Sequence, residues 1–312
     1  MTERCELAVV EKAEHRLAFY ALPNGRLIET LPMHRYPHEM ALSPDGRTAY
    51  VAQYGAAHSR DPAPGGSIVV MVDLMARRLL GEHDFAPFRR LHGLQCDAAG
   101  RLFVLAEADD VLIAIERPKG RHNSWRCWSS GGRQGHLLTV TRDGATAFCT
   151  NLRSNTVTRI DLKAEAAPLV AEPGPRPEGL CLSADEESLF VLMRGDGSLV
   201  ELCAADLTVR GRARLPGDAS RIYCVGTDRL LIACYETEDA LLLDRSTLAL
   251  LHRLDLGGKP TAASLHPSGA EACISLEDGQ IVRVDLTEFR ETGRFPVGRE
   301  PDVSIWIGNT WA

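Results

Sequence analysis

The chain has 312 residues, 45% of them apolar, and a net charge of -7. That charge leaves no basic field to gather phosphates, so nucleic-acid binding is excluded. No run approaches 18 apolar residues, so no membrane span is expected.

Nine cysteines without a CxxC pair argue against a zinc finger or a c-type haem site. Cys96, Cys149, Cys181, Cys224, Cys234 and Cys273 fall in apolar strand-like runs, where reduced, buried thiols are expected. The opening Met-Thr-Glu-Arg-Cys-Glu lacks the basic-then-apolar pattern of a signal peptide, and the expected location is the cytoplasm.

In chain order, the first elements are three short strands at positions 6–10, 16–21 and 26–31, separated by polar turns. Then comes Pro37-His38-Glu39-Met40-Ala41-Leu42-Ser43-Pro44-Asp45-Gly46, a polar anchor, an apolar strand and a turn. The same shape returns from His92, His136 and Thr261, more weakly from Glu178 and Ser220, and truncated from Asp302. The anchors are spaced by 54, 44, 42, 42, 41 and 41 residues. A repeat of that size cannot bury its apolar faces alone and must stack on its neighbours.

After each anchor the pattern predicts four strands. The sets begin at Met40, Gly93, Leu137, Gly179, Arg221 and Ala262. Between the second and third strands of the first set lies an insertion, Gly55 to Gly66, whose Gly and Pro content suits an exposed binding-face loop. The three opening strands lack a partner, and Val303 to Ile307 supplies it from the other end. Pairing the two closes a ring and leaves no open sheet edge. No segment sustains a 3.6-residue period, so helices should be few. The expected fold is all-β, a seven-bladed β-propeller forming one domain over residues 1–312.

The run from Pro37 to Gly46 followed by Thr48-Ala49-Tyr50-Val51-Ala52 resembles the YVTN-type seven-bladed propeller repeat. So does Arg176 to Asp185 followed by Leu189-Phe190-Val191-Leu192, with Gly-x-x-Pro leads at Gly174, Gly257 and Gly298. The resemblance covers essentially the whole chain, although Gly217-Asp218-Ala219-Ser220 departs from the pattern. It implies architecture far more than activity, since such propellers include lactonases, lyases and scaffolds.

In a propeller the first strand of each blade lines the central channel. His38, His92, His136 and Glu178 then come from four consecutive blades and face a shared axis, a donor set suited to a divalent metal such as Zn, Mn, Fe, Mg or Ca. A metal-free acid–base cluster and plain solvated histidines are the competing readings. Arg35, Arg89 and Arg133 each precede a histidine by three residues, and Arg176 precedes Glu178 by two. With Arg194 and Arg221 they could hold an anionic or oxygen-rich small molecule by bidentate hydrogen bonds. Loops after the second strands add Tyr54, His58, Asn151, Tyr235 and two candidate general bases, Glu107 and Glu236. The four tryptophans are expected mainly between blades. Arg117, Lys119, Arg121 and His122 form a basic connector, more a solvated turn than an anion site.

The function expected from this pattern is a metal-dependent lyase or lactone hydrolase acting on a small oxygenated substrate at the channel mouth. The alternatives are a protein-interaction scaffold and a non-haem iron oxygenase using the same histidines. Gly-rich nucleotide turns and the Gly-x-Ser-x-Gly elbow are absent, which removes nicotinamide enzymes and α/β-type serine hydrolases.

Overall fold

The computed structural model describes residues 5–120 and 124–308. Arg121 and His122 of the basic connector, and Trp311, lie outside the described residues. Among the described residues every regular element is a strand, and none is a helix long and apolar enough to cross a membrane.

The fold is an all-β seven-bladed β-propeller of four-stranded sheets, each built in strand order. Blade one holds Pro37–Leu42, Thr48–Gln53, Ile68–Asp73 and Arg78–Asp84. Blade two is Leu91–Cys96, Leu102–Ala106, Val111–Ile115 and Trp125–Ser129. Blade three is Gly135–Val140, Thr146–Asn151, Thr156–Asp161 and Leu169–Ala171. Blade four is Pro177–Leu182, Ser188–Met193, Ser198–Cys203 and Val209–Arg214. Blade five is Ala219–Val225, Arg229–Cys234, Asp239–Asp244 and Leu250–Asp255. Blade six is Pro260–Leu265, Glu271–Leu276, Gln280–Asp285 and Arg290–Pro296. Blade seven joins the ends: Pro301–Ile307 pairs antiparallel with Glu6–Glu11, bringing Glu6 opposite Ile307, and Arg16–Ala21 and Arg26–Pro32 follow.

Two compact units emerge, Met1–Leu91 with Leu254–Ala312, and His92–Arg253. The first carries blades six, seven and one; the second carries blades two to five, apart from Leu91 and the last two residues of blade five. Within each unit the first strands of successive blades touch, and apolar layers fill the space between sheets. Phe103, Phe148 and Phe190 are fully buried in the layers of the second unit, each worth about 1.5–3 kcal/mol against exposure. Second strands such as Ser188–Met193 are buried at every position because both faces meet a neighbouring sheet, which is why they do not alternate.

The turn closing the first strand is built by its own side chains. Thr48 N donates to Ser43 Oγ at 3.0 Å, Arg47 N donates to Asp45 Oδ1 at 3.1 Å, and Gly46 takes the left-handed φ of 68° that this turn requires. Ser183 and Asp185 repeat the arrangement in blade four.

The anchors lie differently from expectation. They are inside the first strands rather than ahead of them, because those strands begin one residue before the anchor. In six blades the pairing slips by one residue at the anchor, as between Pro37 opposite Gln53 and Met40 opposite Val51. His38, His136, Glu178, Ser220, Thr261 and Asp302 therefore sit on β-bulges, which bend the strand and re-aim the side chain. Tyr36, Arg90, Gln134, Arg176 and Glu300, each two residues before an anchor, all carry a positive φ of 48–61°. A left-handed step thus turns the chain into four of the six bulges, those of His38, His136, Glu178 and Asp302.

The thiols also depart from expectation in part. Cys149, Cys234 and Cys273 are buried, but Cys96, Cys181 and Cys224 are only half-buried, because they sit on the first strands. Trp306 packs as expected, donating its Nε1 hydrogen to Ser264 O at 3.0 Å between blades six and seven, whereas Trp125 is exposed on an outer strand.

Candidate metal centre in blades two and three

The site grows out of one close approach. Gly93 follows His92, and a Cβ there would come within 2.9 Å of both His136 O and Leu138 N. Only glycine lets the first strands of blades two and three run this close. The approach brings the His92 ring against the backbone of blade three, where Nδ1 lies 2.8 Å from His136 O. A carbonyl oxygen only accepts, so Nδ1 carries the hydrogen and the Nε2 lone pair is left for a ligand.

His136 sits on the bulge of blade three, and its ring lies 4.0 Å from that of His92, tilted by 32°. Its Nδ1 is 3.4 Å from Glu107 Oε2. Glu107 follows directly on the second strand of blade two and is buried. Gln134 donates its Nε2 hydrogen to Glu107 Oε1 at 3.2 Å and is itself fixed through its backbone N–H to Asp110 Oδ1. The ligand atoms of His92, Glu107 and His136 all lie within 4.8 Å of one another. These three side chains would hold a divalent cation, which would supply Lewis acidity there.

The remaining expected residues fall as follows. Glu178 is buried but faces Arg194, whose Nη1 donates to Oε1 at 2.8 Å; the acid that joins the imidazole pair is Glu107. Arg194 also bonds Asp218 at 3.2 Å and lies over the Tyr235 ring at 5.5 Å. Burial opposes its charge, yet the two carboxylates more than compensate and hold its pKa above the usual value. Asn151 is fully buried and donates to Ser130 O, Thr156 Oγ1 and Thr158 Oγ1, tying blade three to its own lead-in. Arg133 and Arg176 are exposed ahead of their first strands, Glu236 is exposed after the second strand of blade five, and Arg221 is half-buried.

In the other unit, His38 on the bulge of blade one places its Nδ1 against the carboxylate of Asp302 on the bulge of blade seven. Tyr54 is buried with its ring edge-on to His38 at 5.5 Å. Arg35, Arg89 and His58 are exposed. The insertion carrying His58 is not loose: Arg90 donates to Ser59 O and Ala63 O, both at 2.8 Å.

Residue patterns gave no role to Gln134 or Gly93, and brought forward Asp302 only as the anchor of a truncated repeat. Gln134 occupies the place before its anchor that Arg176 and Lys259 hold in other repeats, and that equivalence was the available signal. The Asp302–His38 pairing depends on ring closure across 264 positions, which no local pattern carries.

No protein-family profile matches the chain, and no curated protein does. Solved structures do match in fold. Dihydro-heme d1 dehydrogenase NirN in complex with DHE superposes with a TM-score of 0.69 at 15% identity, covering 96% of this chain and 74% of its own. Kuenenia stuttgartiensis hydrazine synthase matches with a TM-score of 0.70 at 14% identity, covering 88% and 96%. A functionally unknown protein from Desulfotomaculum acetoxidans matches with a TM-score of 0.62 at 11% identity, covering 80% and 84%. Likeness at this identity establishes the propeller and nothing about chemistry.

Proposed function

We propose that this protein is a metal-dependent enzyme whose centre is held by His92, His136 and Glu107, acting as a hydrolase or lyase on a small oxygenated substrate such as a lactone, ester or carboxylate. The observation that carries the reading is the hydrogen bond from His92 Nδ1 to the His136 carbonyl, which commits Nε2 to accepting. Two imidazoles and a carboxylate suit a first-row divalent cation better than Mg or Ca, and three protein ligands leave a position open for substrate oxygen. A cation there supplies polarisation of a substrate carbonyl. Arg133, exposed three residues before His136, is the group we assign to an anionic end of the substrate. The YVTN-type resemblance of the repeats is consistent with this class.

The test is turnover of a panel of lactones, esters and 2-hydroxy carboxylates by protein stripped with chelator and reloaded with zinc, manganese or ferrous ion. Activity restored by one cation and lost in His136→Ala supports the reading. Activity that survives both chelation and the His92→Ala/His136→Ala pair overturns it.

A further inference from the structure

A second cluster of reactive side chains lies in the same unit and has no part in the proposed metal centre. Cys181 is on the first strand of blade four and Cys224 on the first strand of blade five, and their Sγ atoms are 3.2 Å apart. The contact is built by the fold. A Cβ at Gly179 would come within 2.7 Å of Ser220 O and 3.2 Å of the Arg221 Cα, so glycine is what allows these two strands to approach. Both residues are half-buried on their first strands.

The two sulfurs are not equivalent. The Cys181 thiol faces Cys224, and the hydrogen bond from it, together with the Arg245 guanidinium, favours the thiolate at Cys224; burial and the Asp185 carboxylate oppose this. Cys181 is the protonated member, held up by burial and by its neighbour. By contrast Cys149 and Cys234 are buried thiols whose pKa burial pushes up to about 12, leaving them inert.

We propose that Cys181 and Cys224 are an oxidisable dithiol that closes to a reversible disulfide tying blade four to blade five, with a small disulfide of the glutathione class as oxidant. Cys224 thiolate attacks one sulfur of oxidised glutathione, forming a mixed disulfide and releasing one glutathione thiolate. Cys181 sulfur then attacks Cys224 Sγ, the protein disulfide forms, and the second glutathione leaves. The Cys181 proton goes to one departing thiolate and the other takes up the proton that Cys224 had given to solvent, so two electrons pass from the dithiol to the oxidant and two glutathione thiols result. Closing the gap from 3.2 Å to a bond of about 2.05 Å needs only a small side-chain rotation on strands already in contact. A bridge of this kind in a reducing compartment is a responsive one rather than a permanent staple.

The experiment is oxidation of the native, full-length protein with oxidised glutathione, followed by denaturing alkylation and peptide mapping. The expected product is a linked pair of peptides containing Cys181 and Cys224, lighter by two hydrogens and restored by reductant, with a raised thermal midpoint. In Cys181→Ser, Cys224 should stop at the mixed disulfide; in Cys224→Ser, Cys181 should remain a thiol. The mapping of wild-type protein stands by itself if either variant fails to fold. Full alkylation of both thiols after oxidant, or a wild-type Cys224 that accumulates as mixed disulfide without closing onto Cys181, overturns the proposal.

Discussion

His92 donates its Nδ1 hydrogen to the carbonyl oxygen of His136 at 2.8 Å, so the first histidine of the centre is oriented by the backbone of the second. In the proposed centre, ligand and scaffold are therefore the same pair of residues. Whatever loosens the strand contact also turns the imidazole.

Gly93→Ala tests that coupling. The added Cβ meets His136 O and Leu138 N at 2.9 Å, both backbone atoms that cannot swing aside. The expected cost is about 1–3 kcal/mol in urea unfolding, with weakened metal binding alongside. Gly293→Ala is the control, since its Cβ would meet nothing within 4 Å, and stability should be unchanged or slightly raised.

Gln134→Ala should weaken metal binding without unfolding the protein. It removes the donor that holds Glu107 Oε1 at 3.2 Å, and groups that orient a ligand are typically worth about 10–100-fold in affinity. Competition against a chromophoric chelator measures the change, with circular dichroism reporting that the sheet content is kept.

Arg194→Met strands two carboxylates. Glu178 and Asp218 lose the guanidinium between them, and removing one partner from a buried group of this kind costs about 3–5 kcal/mol before discounting for its part exposure. The unfolding free energy should fall by roughly 2–3 kcal/mol on that discount, and Glu178→Gln on the same background should recover part of it. Equal losses in the single and double variants would show that the pairing is not what Arg194 supplies.

Asp185→Asn should give a pH-dependent loss. The Ser183 hydroxyl, then the Glu187 N–H and Arg245, hold the Asp185 carboxyl down to about 2. A depressed carboxylate contributes stability that is present above the unfolded value near about 4 and is lost as pH falls through about 2. The gap between wild type and variant should be full at neutral pH and close between those two values in urea titrations. A gap that persists at pH 2 would rule out the ionised carboxylate as its source.

The blades were readable in the sequence because several repeats carry the same signal, an apolar run and then Ser-x-Asp or Asp-x-x-Gly chemistry that forces a turn, in blades one, two and four, with Thr141-x-Asp143 as a variant in blade three. Closure was readable because Glu6 to Val10 lacked a partner and Val303 to Ile307 had no other use. The bulges were not, since a one-residue slip is a property of two strands and appears in neither alone. The site followed the same division. Positional equivalence brought forward His92 and His136, whose rings lie 4.0 Å apart, but it gave Glu178 equal standing with them. Which acid joins a histidine depends on where the second strand ends, and Glu107 ends up there while Arg194 takes Glu178. The half-exposed pair Cys181 and Cys224 was invisible for the same reason: its meaning lies in the gap between two blades.

Elemental analysis of purified, untagged protein tests the metal centre most directly. The account predicts close to one equivalent of a first-row divalent cation per chain, retained through gel filtration and lost from His92→Ala and His136→Ala with the fold intact. Wild-type protein that carries no such cation, and takes none up when zinc, manganese and ferrous ion are each supplied in excess, would contradict it.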